Sequence, residues 1–251
     1  MKSIFILYII FLSQLIISCV NTETITEPAQ IHNSFSNGSF EIGFYGWDVG
    51  RNVNNDFNLS SDDPFDGNFC AEIYLDSNCR RAELSRINCA DIGTIMRYKW
   101  AYKIHKDYIN SDSTQTIHQF HDYPDFHNGE TWETMTVYPP PVFTTMRNDS
   151  IFIRVHTIES GYKTLGTIKI NKNEWIQIEY LIRWSLNDNG FVEAKINNEY
   201  LTPFNGVDNK YYMPTAYNNM GNFFKVGLYR SPSIKQQSRV FVDNLQIYQI
   251  N

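Results

Sequence analysis

The sequence is short of charge, of cysteine and of helical pattern. Charged residues fill only 19% of its 251 positions, and no stretch carries a helical period, which excludes bundles and coiled coils. No repeat recurs at about 20 to 50 residues, so solenoids and propellers are excluded too. Four cysteines occur, none in a Cys-x-x-Cys pair, and this removes the usual zinc signatures. Basic residues number 21 against 27 acidic ones, a net charge of -6. Nucleic acid is therefore not the expected partner. An acidic chain can still hold a polyanion where its cations are gathered locally.

Aromatic residues are abundant: 16 Tyr, 17 Phe and 5 Trp. Such a composition suits strands and sugar-stacking surfaces. With 42% hydrophobic residues the chain can bury a substantial core, and one domain over residues 34–251 is the expectation.

Residues 1–18 have Lys2, an apolar run from Ile4 to Ile17 and a small residue, Ser18, before Cys19, the layout of a secretory signal peptide. The run is too short for a confident membrane span. Ile16-Ile17-Ser18-Cys19 resembles the lipobox of bacterial lipoproteins, with Ile in place of the usual first Leu. The expectation is an exported monomer, anchored at the outer membrane or cell surface by a lipid on Cys19 or otherwise secreted or periplasmic. Ordinary cleavage nearby is the alternative. Losing Lys2 takes the net charge from -6 to -7. Residues 19–33 are polar and aperiodic and read as a tether. Export permits one disulfide among Cys70, Cys79 and Cys89, and the sequence leaves all three pairings open.

Strand signals run along the rest of the chain. Ser36 to Trp47 reads as a strand with Phe40, Ile42 and Phe44 on one side. Phe69 to Leu75 and Arg80 to Ile87 follow, joined by the turn Asp76-Ser77-Asn78. In Tyr98 to Ile104, and again in Trp175 to Trp184, aromatic and aliphatic residues occupy alternate positions. Thr114 to Asp122 places Gln115, Ile117, Gln119 and His121 on one face. Tyr123 to Met146, with its prolines, begins as a long loop of the kind that borders sites. Phe191 to Leu201 reads as a hairpin around Asn197-Asn198. Phe223 to Arg230 sets Lys225, Gly227 and Tyr229 on one face against Phe224, Val226 and Leu228 on the other, and Val240 to Tyr248 closes the chain. The sum is an all-β sandwich or jelly roll.

Three strings carry chemistry: RAEL (Arg81 to Leu84), QFH (Gln119 to His121) and KVGLY (Lys225 to Tyr229). In this order they resemble the signature segments of the β-jelly-roll polysaccharide lyases, the group of alginate lyases, glucuronan lyases and heparin lyase I. YPDFHNGE, the PPP run, WIQIEYLIRWSLNDNGFVEAKINNE and VFVDNLQIY are similar to the heparin lyase I-like branch. The resemblance implies a concanavalin-like jelly roll whose concave cleft takes an acidic, uronate-containing polysaccharide and breaks it by β-elimination. It implies His121 and Tyr229 as catalytic residues, with the base left open between them, and Arg81, Gln119 and Lys225 as substrate contacts. No cofactor is needed for this chemistry. In such folds a structural calcium can lie between an acidic residue of the first strand and the aspartate of the last, here Glu41 and Asp243. Ser85-Arg86 after RAEL, Arg230 after KVGLY and Phe120 inside QFH depart from the alginate lyase pattern. A retaining hydrolase would need Glu-x-Asp-x-x-Glu, which is absent. A non-catalytic carbohydrate-binding module is the remaining alternative.

Overall fold

The computed structural model describes residues 38–49, 56–201 and 208–250. The chain divides into residues 1–30 and 31–251. All described residues belong to the second unit, and the signal peptide, Cys19 and the tether of residues 19–33 lie outside them.

Two antiparallel sheets stack face to face in a jelly-roll sandwich. The first runs in the order β1 (Asp48–Val49), β4 (Arg81–Arg86), β14 (Asn222–Arg230), β6 (Gln115–Asp122), β7 (Val142–Arg147), β8 (Ser150–Thr157), β9 (Gly161–Lys169). The second runs β12 (Glu199–Tyr200), β11 (Phe191–Ile196), β10 (Trp175–Arg183), β5 (Ile95–Ile104), β15 (Ser238–Ile250), β3 (Cys70–Leu75), β2 (Asp56–Ser60), with β13 (Tyr211–Tyr212) against β11. The period-2 pattern gives each strand one apolar face, and the two apolar faces meet. Ile176, Ile178, Tyr180, Ile182 and Trp184 are all buried, as are Phe224, Val226 and Leu228 from the opposite sheet.

This core is aromatic, and several of its polar tips are paired inside it. The Trp184 indole donates to the Tyr98 hydroxyl at 2.7 Å, and the Tyr180 and Thr144 hydroxyls lie 2.8 Å apart. Such pairing offsets the cost of burying a hydroxyl or an indole N–H. Between β11 and β12 the hairpin turns on Asn197 and Asn198, at φ 51° and 66°, as the two-residue primed turn requires.

The expected strand at 36–47 does not form over its described part. Phe40 sits at φ 59°, with Gly43 and Gly46 also in the left-handed region, so the segment coils through tight turns closed by Gly43 N–H to Phe40 O and Trp47 N–H to Phe44 O. Its alternation breaks accordingly: Phe40 is fully buried and Ile42 is 71% exposed. Packing of Phe40 against Phe44 and Trp47, at 5.8 Å in each case, overrides strand propensity. Gly38 lies so close to β15 that a Cβ there would come within 1.6 Å of the Leu245 carbonyl oxygen. Of the three pairings that export would permit none is formed, for Cys70, Cys79 and Cys89 are all thiols.

Glu41 and Asp243 clamp one loop. Glu41 accepts from the backbone of Asn68 and Phe69 and from the Asn68 amide. Asp243, fully buried, accepts from the backbone N–H groups of Phe65, Asp66 and Asn244. Burial pushes its carboxyl up to about 6 against those bonds. Calcium takes about six to eight oxygen ligands. Here the carboxylates face N–H donors, and among the described residues no third His, Cys, Asp or Glu joins them. The pair fits a hydrogen-bonded clamp and does not fit a cation. Asp243→Ala should strand buried donors and lower stability by about 1–3 kcal/mol, a fall of several degrees in Tm. A chelator should leave the wild-type Tm unchanged, and a melt that drops on chelation and recovers with calcium would contradict the clamp.

Candidate active site

The three chemistry-bearing strings fall on three adjacent strands, β4, β14 and β6, with β14 in the middle. Register sets the groups side by side. Tyr229 pairs with Arg81 on β4 and Thr116 on β6, Lys225 with Ser85 and Gln119, and Phe223 with His121. Arg81, Gln119, His121 and Tyr229 line one cleft, walled by Val137, Tyr138, Pro139, Pro140, Phe143 and Tyr162.

Two irregularities set the phase of these strands. Ile117 is an extra residue of β6 relative to β7, between the Thr116–Thr145 and His118–Thr144 pairs. A bulge moves the next side chains by one face. Ile117 and His118 are therefore both buried in the core, while Thr116 joins the cleft. The expected common face of Gln115, Ile117, Gln119 and His121 is corrected to Thr116, Gln119 and His121. Gly227 has φ 147°, and a Cβ on it would lie 2.2 Å from the Ala82 carbonyl oxygen. The glycine therefore lets β14 approach β4 closely.

Glu83 holds the floor of the cleft. Its side chain is 2% exposed, with Arg81 Nε 3.2 Å from one oxygen and the Gln119 amide donating to the other at 2.7 Å. Burial raises the Glu83 carboxyl, while Arg81, Lys225 and the Gln119 bond pull it down. Arg81 also lies over the Tyr229 ring, its Cζ 4.0 Å from the centroid. Lys225 stacks on Phe223 at 4.8 Å. Burial lowers its ammonium, Glu83 raises it and Arg81 lowers it again.

His121 and His118 stand three residues apart in different worlds. His118 is fully buried, 4.6 Å from the Trp100 ring and 4.8 Å from Phe224, and burial holds its imidazole well below the usual range. It is a core residue. His121 is 18% exposed, with Nδ1 2.8 Å from the Asp122 carbonyl and 3.3 Å from the Asp122 carboxylate. Both neighbours are acceptors, so Nδ1 carries the proton and Nε2 keeps its lone pair. Burial lowers the His121 pKa, the Asp122 carbonyl opposes this, and Lys225 and Arg81 lower it further. Among the remaining histidines, His156 bonds the Tyr217 hydroxyl at 2.7 Å and His105 pairs with Asp107 at 3.5 Å, while His127 sits in the short turn Phe126–Asn128.

A family model for polysaccharide lyases matches residues 32–246. The chain belongs to the polysaccharide lyase family. Family membership sets aside the non-catalytic module. Solved structures share the fold at low identity. The endo-β-1,4-glucuronan lyase of the fungus Trichoderma reesei superposes with a TM-score of 0.64 at 15% identity, over 82% of this chain and 92% of that one. The marine alginate lyase of Aplysia kurodai gives 0.56 at 10%, over 88% and 100%. A family 7 alginate lyase, A1-II′, solved with bound substrate, gives 0.54 at 11%, over 77% and 82%. No curated protein sequence matches this chain.

The three strings supply the polar floor of the cleft, and the proline-rich loop expected to border a site supplies Val137, Tyr138, Pro139 and Pro140 of its wall. Tyr162, on β9, lies in a segment that carries no motif. Gly227→Ala should force β14 and β4 apart and lower stability by about 1–3 kcal/mol. A thermal melt checks this, and an unchanged Tm would refute the close approach.

Proposed function

We propose that this lyase cleaves a uronic-acid-containing polysaccharide by β-elimination, with His121 as base and Tyr229 as acid. The observation that carries the reading is the common cleft of Arg81, Gln119, His121 and Tyr229, in which the Nδ1 proton of His121 is committed to Asp122. Nε2 of His121 takes the C5 proton. The electron pair moves towards the uronate carboxylate and then forms the C4–C5 double bond as the C4–O bond breaks. The departing O4 takes the phenolic proton of Tyr229.

The developing charge rests on the carboxylate, and preorganised donors in a shielded site lower that barrier most. Arg81 can grip a carboxylate through two N–H groups. One N–H of the Gln119 amide holds Glu83 and the other is available to substrate. Lys225 adds a cation beside them. Neutral His121 is the form that a base requires, and burial favours it.

Dense sulfate is disfavoured by a net charge of -6 over the full chain and by a cleft whose cations are few. The likeness to a glucuronan lyase and the departures from the alginate pattern support an unsulfated or lightly sulfated uronan; the heparin lyase I-like motifs then mark the branch and not the substrate. Residues 1–19 support export with a lipid on Cys19, and Cys19→Ala should release the protein from the membrane fraction.

Glucuronan, alginate, ulvan, heparan sulfate and heparin, followed by the ultraviolet absorbance of the unsaturated uronate, test the reading. Chromophore should form with an unsulfated or lightly sulfated uronan, and its absence from every substrate would refute elimination. Tyr229→Phe should abolish turnover while the Tm stays put. His121→Ala should slow it by about 10²–10⁴-fold, and full activity in either variant would remove that residue from the mechanism. The acidic limb of kcat/KM, which reports protonation of His121, should fall below the unperturbed value of 6.5. A limb above that value would contradict a neutral buried base.

A further inference from the structure

We propose that Trp132 is a stacking platform for a pyranose ring next to the one that is cleaved, so that the enzyme grips a chain on the His121 side of the scissile bond. The inference rests on the lyase reading above.

Trp132 stands on the loop between β6 and β7 and is 51% exposed. A large aromatic side chain left half in water beside a polar cleft is the feature to be explained. Its ring is 6.5 Å from that of His121 and 6.2 Å, edge-on, from that of Phe223. The Tyr123 and Phe126 rings complete the cluster at 6.1 and 6.5 Å, and Phe126 is itself 42% exposed. The cluster is therefore continuous with the proposed base.

The loop beneath it is fixed by its own hydrogen bonds. Asp125 accepts from the Asn128 backbone and side chain at 3.3 and 2.7 Å, and its N–H donates to Glu130 at 2.8 Å. Thr131 N–H donates to the Thr134 hydroxyl at 2.8 Å. The Tyr123 carbonyl accepts from Asn218 at 2.7 Å. An aromatic surface held in place this way loses little entropy when a ligand covers it. The partner that fits has one flat apolar face and a hydroxylated rim, which describes the C–H face of a pyranose. Lys225 lies over the Phe223 ring of this cluster at 4.8 Å, and on Trp132 itself the pyranose is held by its C–H face.

Steady-state kinetics of Trp132→Ala and Trp132→Phe on a cleaved uronan, and on its shortest cleaved oligosaccharide, test the proposal. Trp132→Ala should raise KM on the polymer by about tenfold, corresponding to about 1.4 kcal/mol, with kcat and Tm little changed. Trp132→Phe should recover most of that loss, and the shortest oligosaccharide should be affected least. A polymer KM that Trp132→Ala leaves unchanged, or a loss that appears in kcat alone, would overturn the platform while leaving the lyase reading intact. Failure of the wild-type enzyme to cleave any uronan would overturn both. Should Trp132→Ala unfold, Trp132→Phe decides alone: its polymer KM must rise measurably, by less than tenfold.

Discussion

A single buried carboxylate ties the polar face of this molecule together. Glu83 is out of water, so its charge is tolerable only while Arg81 and the Gln119 amide stay against it. Those two partners come from its own strand and from two strands away, across β14. The Glu83 contacts thus lock β4, β14 and β6 in register on the side facing the cleft, as Phe224, Val226 and Leu228 lock them on the core side. Removing one partner of such a group exposes the desolvation cost of the other, which makes the arrangement hard to change piecemeal. The same bonds fix where the Arg81 and Gln119 side chains stand at the cleft.

The strand pattern was legible because its cause is local. Alternation in Trp175 to Trp184 reflects one buried face, and no distant contact disturbs it. Asn197-Asn198 was legible for the same reason, since few residue pairs accept two positive φ values. Phe40 was not: its turn conformation depends on packing with Phe44 and Trp47 and on the close passage of Gly38 by Leu245, contacts between segments about two hundred positions apart in sequence in the second case. Ile117 failed for a different reason. A bulge is a mismatch between two strands, and a sequence read one strand at a time has no access to it. The motif residues were found by type and order. Their adjacency on β4, β14 and β6, and the role of Gly227 in permitting it, needed the sheet.

Two histidines three positions apart in sequence show how much the fold decides. His118 and His121 have the same side chain, and the period-2 alternation of β6 turns one in among Trp100, Phe120 and Tyr180 and the other out over Phe223 at the cleft. The first is neutral because nothing polar but Thr144 reaches it. The second is neutral because burial and two nearby cations disfavour a further charge, and its tautomer is set by the Asp122 carbonyl. Backbone irregularity decides the neighbouring positions, where the bulge at Ile117 sends that side chain to the core and brings Thr116 into the cleft.

In the proposed reaction the β4–β14–β6 floor receives a uronate carboxylate with C5 turned to His121. A crystal structure of the Tyr229→Phe variant with an intact uronan oligosaccharide tests it most directly. The carboxylate should lie against Arg81 and Gln119, with His121 Nε2 within about 3–3.5 Å of C5. A carboxylate bound away from both side chains, or a C5 turned away from His121, would contradict it.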